Sequence, residues 1–108
     1  MSYKVKTIPR FEKELKRLAK KYPSLRSEYI SLVKSLTEKP EQGTLLGNNC
    51  FKIRLAIGSK GKGKSGGARV ITYIQIAESE VYLLSVYDKS EQENISDKEL
   101  DSLLLFIE

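Results

Sequence analysis

The chain has 108 residues, of which 40% are hydrophobic and 31% are charged. This length and composition fit one ordinary globular domain spanning residues 1–108. The absence of histidine excludes a histidine-based triad, a histidine base and a histidine metal site. The only cysteine, Cys50, cannot form an internal disulfide, favours a reducing compartment and is expected to be buried and inert. Basic residues interrupt every short apolar run at the N-terminus, and no run approaches the roughly 20 residues that span a bilayer. We therefore expect a cytoplasmic protein with no membrane contact.

The net charge of +5 is unevenly distributed along the chain. The part before Asp88 holds 17 bases and seven acids, whereas the part from Asp88 onward holds two bases and seven acids. This separation predicts a body that faces a polyanion and a C-terminal segment that faces elsewhere.

The N-terminal part predicts a strand followed by two helices. Residues 3–8 alternate with period two, which indicates a strand. Pro9 suits the first turn of a helix whose apolar stripe ends at Tyr22. Ser24 can cap a second helix that ends before Pro40. The short connection between the two helices predicts an antiparallel α-hairpin.

The remainder predicts a loop, three strands and a last helix. Residues 41–49 are interpreted as a loop, and residues 51–57 as a strand whose outer face carries Lys52 and Arg54. Residues 69–76 and 81–87 are typical of an antiparallel hairpin. Ser96 and Glu99 form a capping box for the final helix. The predicted fold is therefore α+β, of order βααβββα, with the α-hairpin packed on an antiparallel sheet.

A glycine- and lysine-rich stretch at residues 58–69 contains five of the seven glycines. Glycines let a backbone approach a phosphate, and lysines neutralise its charge. Residues 58–65 formally satisfy the Walker pattern, but a strand rather than a helix follows, which argues against nucleotide hydrolysis. A solvated hairpin connection is the plain alternative for this stretch.

The bases around this stretch predict an RNA-binding surface. No acid occurs between Phe51 and Thr72, which is typical of a site for a phosphate-rich ligand. We expect the loop lysines to bind RNA: Lys60, Lys62 and Lys64. The single cysteine and the lack of clustered carboxylates before the acidic tail argue against a metal site, so no metal or cofactor is expected. Catalysis would then use Lys, Arg, Tyr or a carboxylate of the tail.

Three segments resemble the RelE/ParE superfamily of bacterial toxins. They are residues 50–55 (CFKIRL), residues 60–73, which begin with the Lys-Gly-Lys-Gly-Lys run, and residues 81–89 (VYLLSVYDK). The long glycine-lysine stretch joined to Tyr87-x-Lys89 is similar to the HigB-like branch. The resemblance covers nearly the whole chain.

The resemblance implies a ribosome-dependent messenger-RNA endonuclease that uses no metal and is held inactive by a cognate antitoxin, for example a helix-turn-helix protein. By motif position, Arg69 would contact the scissile phosphate, supported by Lys52 and Arg54. Lys89 is the candidate general acid, and Tyr87 or a loop lysine is the candidate base, with a pKa depressed by neighbouring cations. RelE has a tyrosine at the position corresponding to about Ile95, so this chain departs from it there.

Two alternatives and one further hypothesis stay open from the sequence. A ParE-like inhibitor of DNA gyrase needs no nuclease residues, and a non-enzymatic RNA- or ribosome-binding module needs no particular Lys89 or Tyr87. The last helix has apolar residues outside its stripe, Leu105 and Phe106. They indicate either a fully packed helix end or a surface covered by the antitoxin.

Overall fold

The computed structural model describes residues 2–61, 63 and 66–107, and its elements follow the predicted order with one strand added. The elements are β1 (Lys4–Thr7), α1 (Pro9–Lys21), α2 (Leu25–Glu38), β2 (Thr44–Gly47), β3 (Cys50–Leu55), β4 (Ala68–Gln75), β5 (Glu80–Asp88) and α3 (Asp97–Leu104). Short 3-10 turns lie at Gly58–Lys60 and Leu105–Ile107. No helix among the described residues is long and apolar enough to cross a membrane.

The five strands form one sheet in the order β1-β5-β4-β3-β2. The α+β class is confirmed, but the sheet is mixed because β1 pairs with β5 in parallel. The other three pairings are antiparallel. A parallel partner needs a long crossover, and in this chain the α-hairpin and the strands β2 to β4 lie between β1 and β5.

The apolar stripes of the two N-terminal helices provide much of the core. Pro9 occupies the first position of α1, where its missing N–H costs nothing. Phe11 and Leu18 of α1 are fully buried, as are Leu25 and Leu36 of α2. Each such side chain contributes about 1.5–3 kcal/mol by leaving water. The α-hairpin thus covers one face of the sheet.

The predicted loop at residues 41–49 contains the short edge strand β2. Leu45 pairs with Phe51 and Gly47 with Cys50, with an irregularity in register between them. The strand ends in a tight turn at Asn48 and Asn49, which both have positive φ. Strand β2 has only four residues, and Thr44 and Leu45 are both exposed. The segment therefore lacks the alternation of apolar and polar residues that indicates a strand in a sequence.

The two predicted helix caps have different outcomes. Ser96 accepts a hydrogen bond from the amide of Glu99 at 3.1 Å, which confirms the cap of α3. Ser24 precedes α2, but its hydroxyl makes no cap bond. Its Oγ lies 2.9 Å from Oγ of Ser59 and 3.2 Å from a carboxylate oxygen of Glu28. The predicted role of Ser24 as a cap is wrong, because its hydroxyl instead joins the α-hairpin to the turn after β3.

A side chain of helix α1 forms hydrogen bonds with the part of β5 that is not paired with β1. The four residues of β1 pair with Glu80 to Leu83 only. Beyond them, Glu14 of α1 accepts hydrogen bonds from the amide of Val86 at 3.3 Å and the hydroxyl of Ser85 at 2.9 Å. A carboxylate therefore takes the place of a neighbouring strand for this stretch of backbone.

Gly67 permits a close approach of two backbones just before β4. A Cβ on Gly67 would lie 2.2 Å from the carbonyl oxygen of Leu55. Gly67→Ala is expected to lower the free energy of unfolding by more than about 3 kcal/mol, because overpacking against paired backbone cannot relax easily. Urea denaturation at neutral pH measures the loss.

Gly61→Ala is the matched control for this substitution. Gly61 has φ +73° and open space where a Cβ would lie, so only left-handed strain of about 1 kcal/mol is expected. Equal losses in the two variants would contradict the assigned contact.

Candidate RNA-binding and catalytic site

Three of the predicted site residues lie side by side across the central strands. Arg54 of β3 pairs with Arg69 of β4, and Arg69 pairs with Tyr87 of β5. Directly opposite residues in an antiparallel sheet share a face, with Cβ atoms about 4.5–5.5 Å apart. We call Arg54, Arg69 and Tyr87 the cross-strand row. The register therefore brings together residues that lie up to 33 positions apart in the sequence.

Lys52 extends the cross-strand row along β3. It lies two residues before Arg54 and so shares its face. Its ammonium is 3.4 Å from Oδ1 of Asn94, in the segment that leads to α3. Lys52 and Arg54 also line a depression of about 390 Å³ together with Gln42 and Thr44. Arg54 is exposed, so this end of the row is open to a ligand.

Arg69 is the most enclosed cation of the row. Its side chain is buried, and Nη1 donates to the carbonyl of Ala68 at 3.1 Å. Burial in a low-dielectric setting strengthens the electrostatic effect of a fixed guanidinium on a nearby anion. The position suits a group that stabilises developing charge.

Tyr87 is buried beside Arg69, with only 3% of its surface exposed. Burial raises its pKa above the ordinary value, Arg69 opposes this in part, and Glu99 adds to it. The expected depression of the Tyr87 pKa is therefore wrong, because loss of solvent outweighs the neighbouring cation. Its hydroxyl has no hydrogen-bond partner among the described residues. Tyr87 is a neutral O–H donor here and is poorly suited to act as a base.

Tyr87→Phe tests this description of the hydroxyl. Removing a buried, unpartnered O–H should leave the free energy of unfolding unchanged or raise it by up to about 1 kcal/mol. Urea denaturation of the variant and the wild type measures the difference. Tyr82→Phe is the matched control, because Tyr82 donates to Glu80 at 2.9 Å and loses that bond. A clear destabilisation by Tyr87→Phe would show that the hydroxyl has a partner.

Lys89 lies one residue beyond β5, at the end of the cross-strand row. Its amide donates to the carbonyl of Gly67 at 3.0 Å, which continues the ladder past the strand. Its ammonium is 3.7 Å from Oε1 of Glu93, whose side chain is largely exposed. Such a pair is weak and easily exchanged for a phosphate.

Of the three loop lysines predicted to bind RNA, the structure describes only Lys60, and its ammonium does not extend freely into solvent. The ammonium of Lys60 pairs with the buried carboxylate of Asp88, and only 9% of the Lys60 side chain is exposed. Because a carboxylate already neutralises this ammonium, Lys60 does not fit a cation that is available to bind RNA. Lys62 and Lys64 lie outside the described residues.

The acidic C-terminal segment contacts the basic body, so the expectation that it faces elsewhere is wrong. Glu91 pairs with Arg17 at 2.8 Å and with Lys21 at 3.4 Å. Glu99 of α3 pairs with Arg10. Opposite charges far apart in the sequence attract, and the Arg10–Glu99 pair joins α1 to α3. Composition showed the asymmetry but not which charges meet.

Cys50 and the carboxylates form no further reactive centre. The Cys50 thiol is fully buried, which confirms that expectation, and burial raises its pKa to about 11. A thiol with so high a pKa is a poor nucleophile. Within residues 2–61, 63 and 66–107, no group of three or more acids and cysteines is placed to hold a metal ion.

Asp88 is the central site residue that the sequence reasoning missed. It is fully buried. Burial alone would raise its pKa, but hydrogen bonds from Lys60, Tyr22 and Ser90 outweigh burial and hold the pKa well below the usual range. The available signal was an acid at the end of an otherwise apolar strand, in a position that faces the helices. By sequence position alone, Asp88 counts with the acidic C-terminal segment.

The fold and the site together define a small α+β protein with a row of cations and a phenol across its sheet. A sequence model described as the RelE toxin of the RelE / RelB toxin-antitoxin system matches residues 4–106. The chain therefore belongs to the RelE toxin family.

Three solved structures of RelE toxins or their complexes have this fold. The isolated RelE toxin of E. coli is 20% identical, with a TM-score of 0.63, and the match covers 96% of this chain and 98% of that one. RelE in the intact RelBE toxin-antitoxin complex of E. coli is 21% identical (TM-score 0.61, coverage 81% and 96%). The toxin-antitoxin complex RelBE2 of Mycobacterium tuberculosis matches at 17% identity (TM-score 0.61, coverage 82% and 99%). These similarities confirm the RelE fold.

Proposed function

We propose that this toxin is a metal-independent endoribonuclease that cuts messenger RNA on the ribosome and so inhibits translation. The observation that carries the proposal is the cross-strand row, in which Arg54, Arg69 and Tyr87 are adjacent on one face. Lys52 and Lys89 extend the row at its two ends. Family membership supports the toxin role, and the side chains present suit chemistry on a phosphodiester.

In the proposed reaction the 2′-oxygen of RNA attacks the adjacent phosphorus. A 2′-O–P bond forms, the P–O5′ bond breaks, and a 2′,3′-cyclic phosphate and a 5′-hydroxyl result. Arg69 stabilises the charge on the non-bridging oxygens, with Lys52 and Arg54 in support. Lys89 gives its proton to the departing 5′-oxygen. Tyr87, whose hydroxyl is buried, packs beside Arg69 and removes no proton. As the 2′-O–P bond forms, the 2′-hydroxyl proton passes to the neutral amine of a loop lysine, Lys62 or Lys64.

A cognate antitoxin is the proposed partner besides messenger RNA. Relatives have been solved as toxin-antitoxin complexes. Leu105 and Phe106 are exposed by 72% and 63% at the end of α3. Exposed apolar residues of this size mark a surface that a partner covers. The proposed place of action is the cytoplasm, where translating ribosomes are found.

Expression in a bacterial host with primer extension on translated messages tests the proposal. Growth arrest with new 5′ ends inside codons, absent when translation of the message is blocked, is the expected result. Intact messages together with gyrase inhibition would establish the ParE-like alternative. An absence of both cuts and arrest would leave the binding-module alternative.

A further inference from the structure

The carboxylate of Asp88 receives hydrogen bonds from three separate parts of the chain. Its Oδ1 accepts from the ammonium of Lys60 and, within the following turn, from the amide of Ser90 at 2.9 Å and its hydroxyl at 2.7 Å. Its Oδ2 accepts from the hydroxyl of Tyr22 at 2.6 Å. With no exposed surface, Asp88 cannot contact RNA itself.

The first two residues of the glycine-lysine stretch, Gly58 and Ser59, form hydrogen bonds that do not involve Asp88. The amide of Gly58 donates to Oε2 of Glu28 at 2.6 Å, and the amide of Ser59 donates to Oγ of Ser24 at 2.9 Å. Loss of the Asp88 carboxylate would therefore leave these two contacts in place. Lys60, Tyr22 and Ser90 would each lose a bond to Asp88, and Lys60 would keep its own hydrogen bond to the hydroxyl of Ser90 at 3.1 Å.

The turn after β5 carries Lys89 and is built around Asp88. The bond from the Ser90 amide to the Asp88 side chain forms an Asx turn. The amides of Glu91 and Gln92 donate to the backbone carbonyl of Asp88, each at 3.0 Å. Lys89 is enclosed within this turn, so the side chain and the carbonyl of Asp88 together fix its backbone.

Asp88 also separates the two candidate site residues next to it in the sequence. Neighbouring residues of a strand point to opposite faces. Asp88 faces the α-hairpin through Tyr22, whereas Tyr87 faces Arg69. The strand therefore anchors its end on the helix side, while Tyr87 lies with Arg69 on the other face.

We propose that Asp88 is a positioning residue for Lys89, acting through the Asx turn with Ser90. The proposal rests on the nuclease function proposed above. In this role Asp88 holds the general acid at the leaving oxygen, and its ion pair with Lys60 contributes stability separately. Loss of the turn lowers the cleavage rate at saturating message and leaves RNA affinity unchanged.

Two double variants separate the turn from the ion pair. Asp88→Asn/Lys60→Met removes both charges, but its amide oxygen can still accept from Ser90. Asp88→Ala/Lys60→Met removes both charges and the turn. Cleavage by the full chain on translating ribosomes should stay within about threefold of wild type in the Asn variant. It should fall about 10- to 100-fold in the Ala variant, as expected for a misplaced group. The message concentration at half-maximal rate should not change in either variant.

A test in the Lys89→Ala background identifies the residue through which Asp88 acts. There the Asn and Ala double variants should cleave equally, since the group that the turn positions is gone. Equal rates of the two doubles in the wild-type background, or a further loss in the Lys89→Ala background, would overturn the positioning role. If the Ala variant does not fold, Ser90→Pro, which removes the amide donor of the Asx turn, should still reduce the rate about two- to fivefold, and an unchanged rate would equally overturn the positioning role. Failure of the wild type to cleave would refute the nuclease proposal instead.

Discussion

Arg69→Ala is expected to reduce cleavage of a translated message by about 10²- to 10³-fold, the usual effect of removing one fixed donor to a developing anion. Arg69 stands at the centre of the cross-strand row, between Arg54 and Tyr87. Its burial excludes water that would otherwise screen its charge. Single-turnover cleavage by the purified chain on stalled ribosomes measures the effect directly.

Two further arginine variants make this result specific. Arg26→Ala removes an exposed arginine beside the groove between α1 and α2 and should leave cleavage unchanged. Arg69→Lys keeps the charge without the planar fork and should give an intermediate rate. Because Arg69 is buried, thermal melting of each variant must accompany the assay. A folded Arg69→Ala variant that cleaves at the wild-type rate would remove Arg69 from the mechanism.

Asp88→Asn is expected to lower the free energy of unfolding by about 3–5 kcal/mol at pH 7, because it leaves the Lys60 ammonium without its carboxylate in a buried site. The folded-state pKa of Asp88 is depressed. Its stabilising contribution is therefore complete above the ordinary carboxyl pKa of about 4 and declines as the pH falls below it. The difference between the variant and wild type should narrow steadily from about pH 4 downward, as urea denaturation across this range would show.

Two matched variants show whether the loss of stability comes from the buried Lys60–Asp88 pair or from the removal of any carboxylate charge. Asp88→Asn/Lys60→Met should recover most of the lost stability, because no unpaired charge remains inside. Glu93→Gln breaks an exposed pair with Lys89 and should leave the unfolding curve unchanged. An equal loss in the single and the double variant would show that the ion pair is not the source of the effect.

The elements with strong periodicity were predictable from the sequence, and the weakly patterned ones were not. The stripe of α1 and the alternation of β3 each report a buried face, which is the physical cause of the pattern. β2 lacks such a face, so its pairing with β3 depends on the turn at Asn48 and Asn49. The parallel position of β1 depends on the crossover, which local pattern does not encode.

The candidate site was predictable in its residue types but less so in its environments. The family resemblance gave Arg69, Tyr87 and Lys89 as candidates, and their roles stay predictions. The register places Arg54, Arg69 and Tyr87 next to one another. The burial that raises the pKa of Tyr87 and the pairing of Lys60 with Asp88 arise from packing between distant segments. Such properties require knowledge of which segments meet.

The carboxylate of Glu14 has a consequence for self-association. Unpaired strand edges are templates on which identical chains stack. Here β1 offers only four residues and includes Lys4 and Lys6, and beyond β1 the backbone of β5 already donates to Glu14. The Glu14 side chain thus occupies a strand edge on which a second copy of the protein could otherwise add a strand. This contact therefore disfavours edge-to-edge association of copies at high concentration.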